Sequence, residues 1–349
     1  MKSIWLVTGI SGCGWKELLE EIKEKAASNY PSRKIYIYDI GIYMQKECER
    51  LNISISKEDI LDVDGILLET IRSLALKAVL AEIKALSDEN VIIFIGIHAV
   101  FQWKSRLIPG VSYYDLGDPA LDLAGVINVI DDITNILSKN NNNPVRKKAG
   151  DLSSTETQKW MQEEELLSKI IADIKQCPFF IIARNHDPKN LLDFFLSNKK
   201  RVYLSYPITA IRNDDPDKLE AFQNRTLPTL NEMFVVYNPL AISDLGNISS
   251  FEDSDDYDKI TNIVNARTIQ RDFRFIDQSN AVVVYYDTDK NSPGVFAEIY
   301  YAYRTGKPVF IYYPHKASPF LQDAVTSMDD NLDSFVNRLR IYAQSNIND

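Results

Sequence analysis

The sequence predicts two α/β domains, each built around a doubly wound parallel sheet. Short apolar runs recur along the chain, and longer stretches with helical periodicity separate them, as expected for strands joined by crossover helices. This alternation begins at the first residues and starts again past the middle of the chain. Because 349 residues exceed the usual size of one domain, we expect two.

The first domain is predicted to span residues 1–197. An apolar run, Ile4–Thr8, leads into a glycine-rich segment and then into a helical pattern from Lys16, which indicates strand, tight loop and helix. Residues 138–155 are polar without a hydrophobic period, so we expect a loop there. The other predicted elements are strands at 34–38, 91–97 and 179–183 and a helix at 60–86.

The second domain is predicted to span residues 198–349, with the boundary at the polar stretch Ser197–Lys200. It repeats the alternation of strands and helices, which predicts a second doubly wound sheet. The predicted strands lie at 202–204, 234–237, 281–286 and 308–312, and the predicted helices begin at 217, 260 and 295.

Composition limits the function. A formal charge of -10 argues against a large interface with DNA or RNA, which needs a surplus of lysine and arginine. The three cysteines, Cys13, Cys48 and Cys177, form no C-x-x-C pair. The apolar start of the chain is too short for a signal peptide or a membrane span. We therefore expect a cytoplasmic protein without a membrane or nucleic-acid partner.

The glycine-rich segment has the spacing of a phosphate-binding loop but lacks its reactive side chains. Gly9 and Gly14 stand at the required separation, whereas Trp15 takes the place of the lysine and Lys16 that of the hydroxyl residue that binds magnesium. The strand at 91–97 also ends without an aspartate to organise magnesium. Phosphoryl transfer is therefore poorly supported.

Residues 1–190 resemble archaeal-type adenylate kinases in this loop, the long helical middle and the strand that ends near His98. The resemblance implies a degenerate nucleotide-binding or dimerising domain with candidate contacts at Gly9, Gly12, Gly14 and Lys16. Two alternatives stay open: the loop only turns a strand into a helix, or Lys16 supports kinase activity.

A second motif lies near the end of the chain. Glu298 follows a glycine-containing loop at the start of a helix, where a carboxylate can face the crevice at the carboxyl ends of parallel strands. Asp272 lies upstream of this motif, and Tyr203 lies in the first strand of the domain. In these three features, residues 201–315 resemble the nucleoside 2-deoxyribosyltransferase family, including its nucleotide N-hydrolase branch. The resemblance also implies a flavodoxin-like sheet.

The resemblance implies a reaction at an N-glycosidic bond. Glu298 would attack the anomeric carbon and form a covalent glycosyl enzyme, Tyr203 would orient the carboxylate, and Asp272 would protonate the leaving base or hold the sugar. This chemistry needs no cofactor. As simpler alternatives, Glu298 would be a solvated surface residue and Asp272 would pair with Arg271 or Arg274.

Ser292 stands where the family members that act on free nucleosides have an aspartate. A hydroxyl and nearby N–H groups can donate to a 5'-phosphate that a carboxylate would repel, so the resemblance implies a nucleoside 5'-monophosphate as substrate. Arg212 would supply the matching positive charge, and Ser205 and Gly294 are further candidate substrate contacts.

Members of this family assemble as dimers or larger oligomers, with a neighbour's residue completing each site. A homo-oligomer is therefore implied here, and Ser318 is a candidate for that residue. Two rival functions remain: base exchange in place of hydrolysis, and a nucleotide sensor without turnover. No metal site is expected, because His98, His186 and His315 lie far apart without ligand spacing.

Overall fold

The computed structural model describes residues 2–56, 59, 62–103, 106–148, 150–208, 210–211, 215–242 and 257–345. They form two compact units, the first built mainly from residues up to Pro188 and the second mainly from Lys189 onward. The division falls earlier in the chain than the predicted boundary at 197/198. The helix Pro188–Leu196 is joined to the second unit by Asn190. The side-chain amide of Asn190 accepts from the Val236 N–H at 3.0 Å and donates to the Phe234 carbonyl at 3.2 Å.

The first unit contains a five-stranded parallel sheet with the order β2-β3-β1-β6-β7. Its strands are β1 (Lys2–Thr8), β2 (Lys34–Asp39), β3 (Val91–Gly96), β6 (Leu123–Ile130) and β7 (Phe179–Ala183). A hairpin of β4 (Val100–Trp103) and β5 (Arg106–Pro109) follows β3. The helices of this unit are Trp15–Asn29, Ile40–Arg50, Gly65–Ala85, Tyr113–Leu116, Ile133–Asn141, Pro144–Lys147 and Ser154–Lys175.

Two expectations for this unit need correction. The predicted set of strands omitted β6, although it pairs with the central strand β1. The polar Asn128 interrupts the apolar run of β6, and in the structure its amide nitrogen donates to Thr8 Oγ1 at 3.1 Å. The predicted loop at 138–155 is wrong, because helices occupy much of it. Asn140 is buried there and donates to the Ser11 carbonyl at 2.7 Å, which explains how a polar stretch packs as a helix.

The second unit contains another five-stranded parallel sheet, with the order β12-β11-β10-β8-β9. Its strands are β8 (Arg201–Ser205), β9 (Val235–Tyr237), β10 (Ala281–Tyr285), β11 (Val309–Tyr312) and β12 (Ser327–Asp329), of which β12 was not predicted. Its helical segments are Pro188–Leu196, Pro216–Ala221, Phe222–Thr226, Leu227–Met233, Pro239–Ala241, Tyr257–Asp277, Pro293–Arg304, Pro319–Asp323 and Leu332–Gln344.

The strand order of the second unit matches the predicted flavodoxin-like arrangement. The chain proceeds from β8 to β9 on one side and then crosses to β10, β11 and β12 on the other. Such a reversal opens a crevice at the carboxyl ends of the strands between which it occurs, here β8 and β10. The predicted class, two α/β units with parallel sheets, is confirmed.

Candidate active site

The carboxylate of Glu298 lies at the carboxyl end of β8, in the crevice that the reversal of strand order creates. Tyr203 and Ser205 are two positions apart in β8, so their side chains project from the same face. The Tyr203 hydroxyl donates to Glu298 Oε1 at 3.0 Å, and Ser205 Oγ donates to Oε2. Both carboxylate oxygens are thus held by hydroxyl groups of one strand.

The helix Pro293–Arg304 carries Glu298 to this position. Ser292 is its N-cap residue and Pro293 its first residue, where proline's fixed φ suits a helix start. Val295 and Ile299 are buried, so this face anchors the helix on the sheet. Glu298, next to Ile299, points toward the ends of the strands; its carboxylate is surrounded by protein although part of the residue still reaches solvent.

Burial raises the pKa of Glu298 to about 8, and the negative charge of Asp272 acts in the same direction. The hydrogen bonds from Ser205 and Tyr203 and the charge of Arg271 oppose this shift without cancelling it. The pKa of Tyr203 is also raised, chiefly by burial and then by the charge of Glu298. Tyr203 is therefore a neutral donor, and Glu298 gains or loses its proton near physiological pH.

Asp272 approaches this centre from the helix Tyr257–Asp277, close enough for its charge to influence both Glu298 and Tyr203. Its Oδ1 accepts from Arg271 Nε at 3.0 Å, and both side chains are largely buried. The pairing that the sequence offered as a simpler alternative therefore exists together with proximity to Glu298. Arg271 was not among the predicted site residues, and only its position beside Asp272 in the sequence hinted at this role.

The amino terminus of the helix Pro293–Arg304 contains the predicted substrate contacts Ser292 and Gly294. The Ser292 N–H donates to Tyr286 Oη at 2.7 Å, so this N–H already has an acceptor. Gly294 is exposed, and a Cβ there would have no neighbour within 4 Å. Because Gly294 precedes Glu298 by four residues, the two lie one turn apart on the same helix face.

Two further residues named from the sequence are Arg212 and Ser318. Arg212 is outside the described residues. Ser318 accepts a hydrogen bond from the Leu321 N–H at 3.3 Å and caps the helix Pro319–Asp323.

In the first unit, the glycine-rich segment adopts the predicted strand, loop and helix. Gly9, Gly12 and Gly14 all have positive φ, of 150°, 85° and 76°, which glycine adopts without strain. The Gly9 N–H donates to Glu164 Oε1 at 2.9 Å. Lys16 Nζ lies 3.2 Å from Asp39 Oδ2, so the predicted nucleotide contact is already paired with a carboxylate.

Neither a metal site nor a membrane span is found in the described part of the chain. No three His, Cys, Asp or Glu side chains are grouped there in a way that could hold a metal ion. Among the helices of these residues, none combines the length and the apolar character needed to cross a membrane.

No protein-family model matches the chain, and no significant match to a curated protein is found. Among solved structures, shikimate kinase from Bacteroides thetaiotaomicron is 14% identical, covering 56% of this chain and 98% of its own, with a TM-score of 0.35. Shikimate kinase from Acinetobacter baumannii in complex with shikimate is 13% identical, covering 56% and 94%, with a TM-score of 0.36. Similarity at this level carries no conclusion about activity or ligand.

Proposed function

We propose that the second unit hydrolyses the N-glycosidic bond of a nucleoside 5'-monophosphate through a covalent intermediate on Glu298. The observation that carries the proposal is the pair of hydroxyl donors, Tyr203 and Ser205, that hold both oxygens of Glu298 at the crevice between β8 and β10. A carboxylate fixed in this way is oriented for attack on a sugar carbon. The sequence resemblance to nucleoside 2-deoxyribosyltransferases supports the same chemistry.

In the first step, an ionised Glu298 oxygen bonds to the anomeric carbon while the bond to the base breaks. The electron pair of that bond leaves with the base, which takes up a proton. In the second step, water attacks the anomeric carbon, the glutamyl ester bond breaks, and the water proton is released. The products are free base and sugar 5-phosphate, and Glu298 is regenerated.

Asp272 fits the role of holding the sugar better than that of an acid. Its contact with Arg271 at 3.0 Å favours an ionised carboxylate. An ionised Asp272 accepts hydrogen bonds from sugar hydroxyls, and such bonds contribute to transition-state stabilisation in glycosidases. The alternative role, protonation of the leaving base, requires Asp272 to carry a proton in the reacting complex.

The exposed first turn of the helix Pro293–Arg304 supports a phosphate-bearing substrate. The helix places its amino terminus about 9 Å from Glu298, from a rise of 1.5 Å per residue. A helix amino terminus offers N–H donors and a partial positive charge to an anion. Since the Ser292 N–H is taken by Tyr286, the donors in this proposal are the Ser292 hydroxyl and the N–H groups of Gly294 and Val295.

The test is chromatographic detection of free base from a panel of ribo- and deoxyribonucleoside 5'-monophosphates and their parent nucleosides, with and without an acceptor base. Base release from monophosphates without an acceptor, lost in Glu298→Ala and retained in the exposed control Glu232→Gln, is expected. Release only with an acceptor base would indicate base exchange instead. Ligand binding without turnover would indicate a sensor and contradict the proposal.

Asp272→Asn separates the two roles of Asp272, because an amide still forms hydrogen bonds to a sugar but cannot supply an acidic proton. For the sugar-holding role we expect a higher KM and a kcat within about tenfold of the wild type. A fall in kcat of about a hundredfold or more with unchanged KM would assign the proton-donor role.

A further inference from the structure

The first unit encloses a cavity of about 340 Å³ between the glycine-rich segment, the end of β2 and the end of β3. Much of its wall is apolar, formed in part by Trp15, Ile40, Met44, Ile97 and Phe101. A volume within the range of about 300–1,000 Å³ is typical of sites for small organic molecules. All lining residues belong to the first unit, so the cavity is distinct from the Glu298 site.

The side chains that line this cavity carry more positive than negative charge. Lys16 is paired with Asp39 at 3.2 Å, and burial lowers the pKa of His98 to about 4, which leaves the imidazole neutral. Arg72 and Arg146 remain among the lining residues. Three cations against one anion give the lining a net charge of +2, in a chain whose formal charge is -10.

Of the two arginines, Arg146 gives the stronger evidence for a bound anion, because it is only 4% exposed. Its Nη1 donates to the Gln102 carbonyl at 2.5 Å, while its Nε is buried without a hydrogen-bond acceptor among the described residues. The guanidinium lies 5.0 Å from the ring centroid of Trp160. A buried guanidinium with an unsatisfied donor is costly unless an anion completes the site.

Arg72 faces the same cavity from the helix Gly65–Ala85. One of its Nη groups donates to the Pro109 carbonyl. Burial lowers the pKa of Arg72 to about 10, so the side chain is still charged near pH 7. A guanidinium presents several donors in a planar fork, so a carbonyl contact leaves others for an oxyanion.

Trp15 alters this site relative to a phosphate-transferring loop. Its indole packs on Gly96 at the end of β3 so closely that a Cβ on Gly96 would lie 2.1 Å from Trp15 Cη2. An aromatic ring therefore projects from the position that a phosphate-binding loop gives to its lysine. This suits the apolar body of a ligand better than a terminal phosphate.

We propose that this cavity binds a small organic oxyanion, a phosphate monoester or a carboxylate, without phosphoryl transfer. The anionic group pairs with Arg146 and Arg72, and the apolar body of the ligand lies against Trp15 and its neighbours. The first unit thereby acts as a binding module whose ligand need not be the substrate of the second unit.

The test is isothermal titration calorimetry on the full chain with three probes of similar shape: phenyl phosphate, benzoate and uncharged phenol. We expect phenyl phosphate, benzoate or both to bind, and phenol to bind at least about tenfold more weakly. The anion that binds more tightly identifies the ligand as phosphate or carboxylate. Binding of neither anion to the folded protein would overturn the proposal.

Arg146→Met and Arg72→Met remove each charge at similar side-chain length, and each is expected to weaken anion binding about tenfold or more. Lys147→Met is the matched control, since Lys147 is exposed in the same short helix as Arg146, and it should bind as the wild type does. If Arg146→Met fails to fold, Arg72→Met decides the question, because Arg72 is partly exposed. Unchanged affinity in a folded arginine variant would place the anion elsewhere.

Discussion

Ser205 and Glu298, 93 residues apart in sequence, are joined by a hydrogen bond from Ser205 Oγ to Glu298 Oε2. Tyr203 donates to the other oxygen of the same carboxylate. The sequence suggested that Ser205 contacts the substrate, whereas in the structure it positions the candidate nucleophile. These two donors lower the pKa of Glu298 and so influence the pH at which it is ionised.

The first prediction concerns pH. Because the pKa of Glu298 is raised to about 8, the ionised nucleophile becomes scarcer as pH falls below that value. We expect kcat/KM for base release to fall about tenfold per pH unit below pH 8 and to level off above it. A pH–rate profile from pH 5 to 9.5 measures this, and a flat profile from pH 5 to 8 would contradict it.

The second prediction concerns stability. The folded state holds the Glu298 proton more tightly than the unfolded chain, whose carboxyl titrates near its ordinary pKa of 4.5. The wild type therefore loses stability as pH rises from about 4.5 to about 8, and Glu298→Gln escapes this loss. We expect the variant to be more stable than the wild type at pH 8.5, by at most about 5 kcal/mol for a shift of this size, and to differ little from it at pH 5.

Urea unfolding at the two pH values measures the stability of this variant. Glu232→Gln is the control, since Glu232 is exposed and its replacement should show no such dependence on pH. An equal effect of Glu298→Gln at both pH values would refute the proposed linkage.

The third prediction concerns the two hydroxyl donors. Both hydrogen bonds lower the pKa of Glu298, so Tyr203→Phe and Ser205→Ala should each shift the pH–rate profile to higher pH. We also expect each variant to lose about tenfold in kcat at pH 7. Tyr237→Phe is the control, because Tyr237 is equally buried in the adjacent strand β9. Lower activity without a shifted profile would indicate a purely structural effect.

The fourth prediction separates substrate binding from folding at Gly294. A Cβ there meets no atom within 4 Å, and alanine favours a helix over glycine by up to about 1 kcal/mol. Gly294→Ala should therefore fold as well as the wild type while it adds a methyl group on the helix face of Glu298, one turn away, where the proposed phosphate contact lies. We expect KM for a nucleoside monophosphate to rise at least about tenfold with an unchanged thermal midpoint. Unaltered KM would exclude Gly294 from the substrate site.

The fifth prediction concerns Glu164, whose pKa burial raises to about 7 although its carboxylate accepts three backbone N–H bonds. Oε1 accepts from Gly9 and Ala99 at 2.9 Å each, and Oε2 accepts from Val100 at 2.7 Å. Glutamine at this position would bring an amide donor against a backbone donor. Glu164→Gln should thus destabilise the protein by about 1–3 kcal/mol, opposite in sign to Glu298→Gln at pH 8.5.

Thermal and urea unfolding of the Glu164 variant provide the comparison, with Glu163→Gln as the neighbouring control on the same helix. Glu163 is partly exposed and lies 3.9 Å from Lys159, a weak surface pair whose loss should cost little. Equal stabilities of the two variants would contradict the role assigned to Glu164.

The sequence by itself determined the class of fold. Apolar runs separated by helical periods predicted most strands of both sheets, with the bounds of Phe179–Ala183 reproduced in the structure. The resemblance to nucleoside 2-deoxyribosyltransferases, and not periodicity, singled out Tyr203, Asp272 and Glu298. The signals for the strands and helices are of another kind. These signals are local, because buried strands and helix starts depend on neighbouring residues.

Only the tertiary structure decided which distant side chains meet. The position of β8 between β9 and β10 brings Tyr203 to Glu298 across 95 residues, and a strand order cannot be read from hydrophobic periodicity. The burial of Arg146, within the stretch 138–155 that was predicted to be a loop, could not be read from the sequence either. Burial raises the pKa of Glu298, and burial also leaves Arg146 Nε without a hydrogen-bond acceptor among the described residues. Burial is a property of packing rather than of residue type.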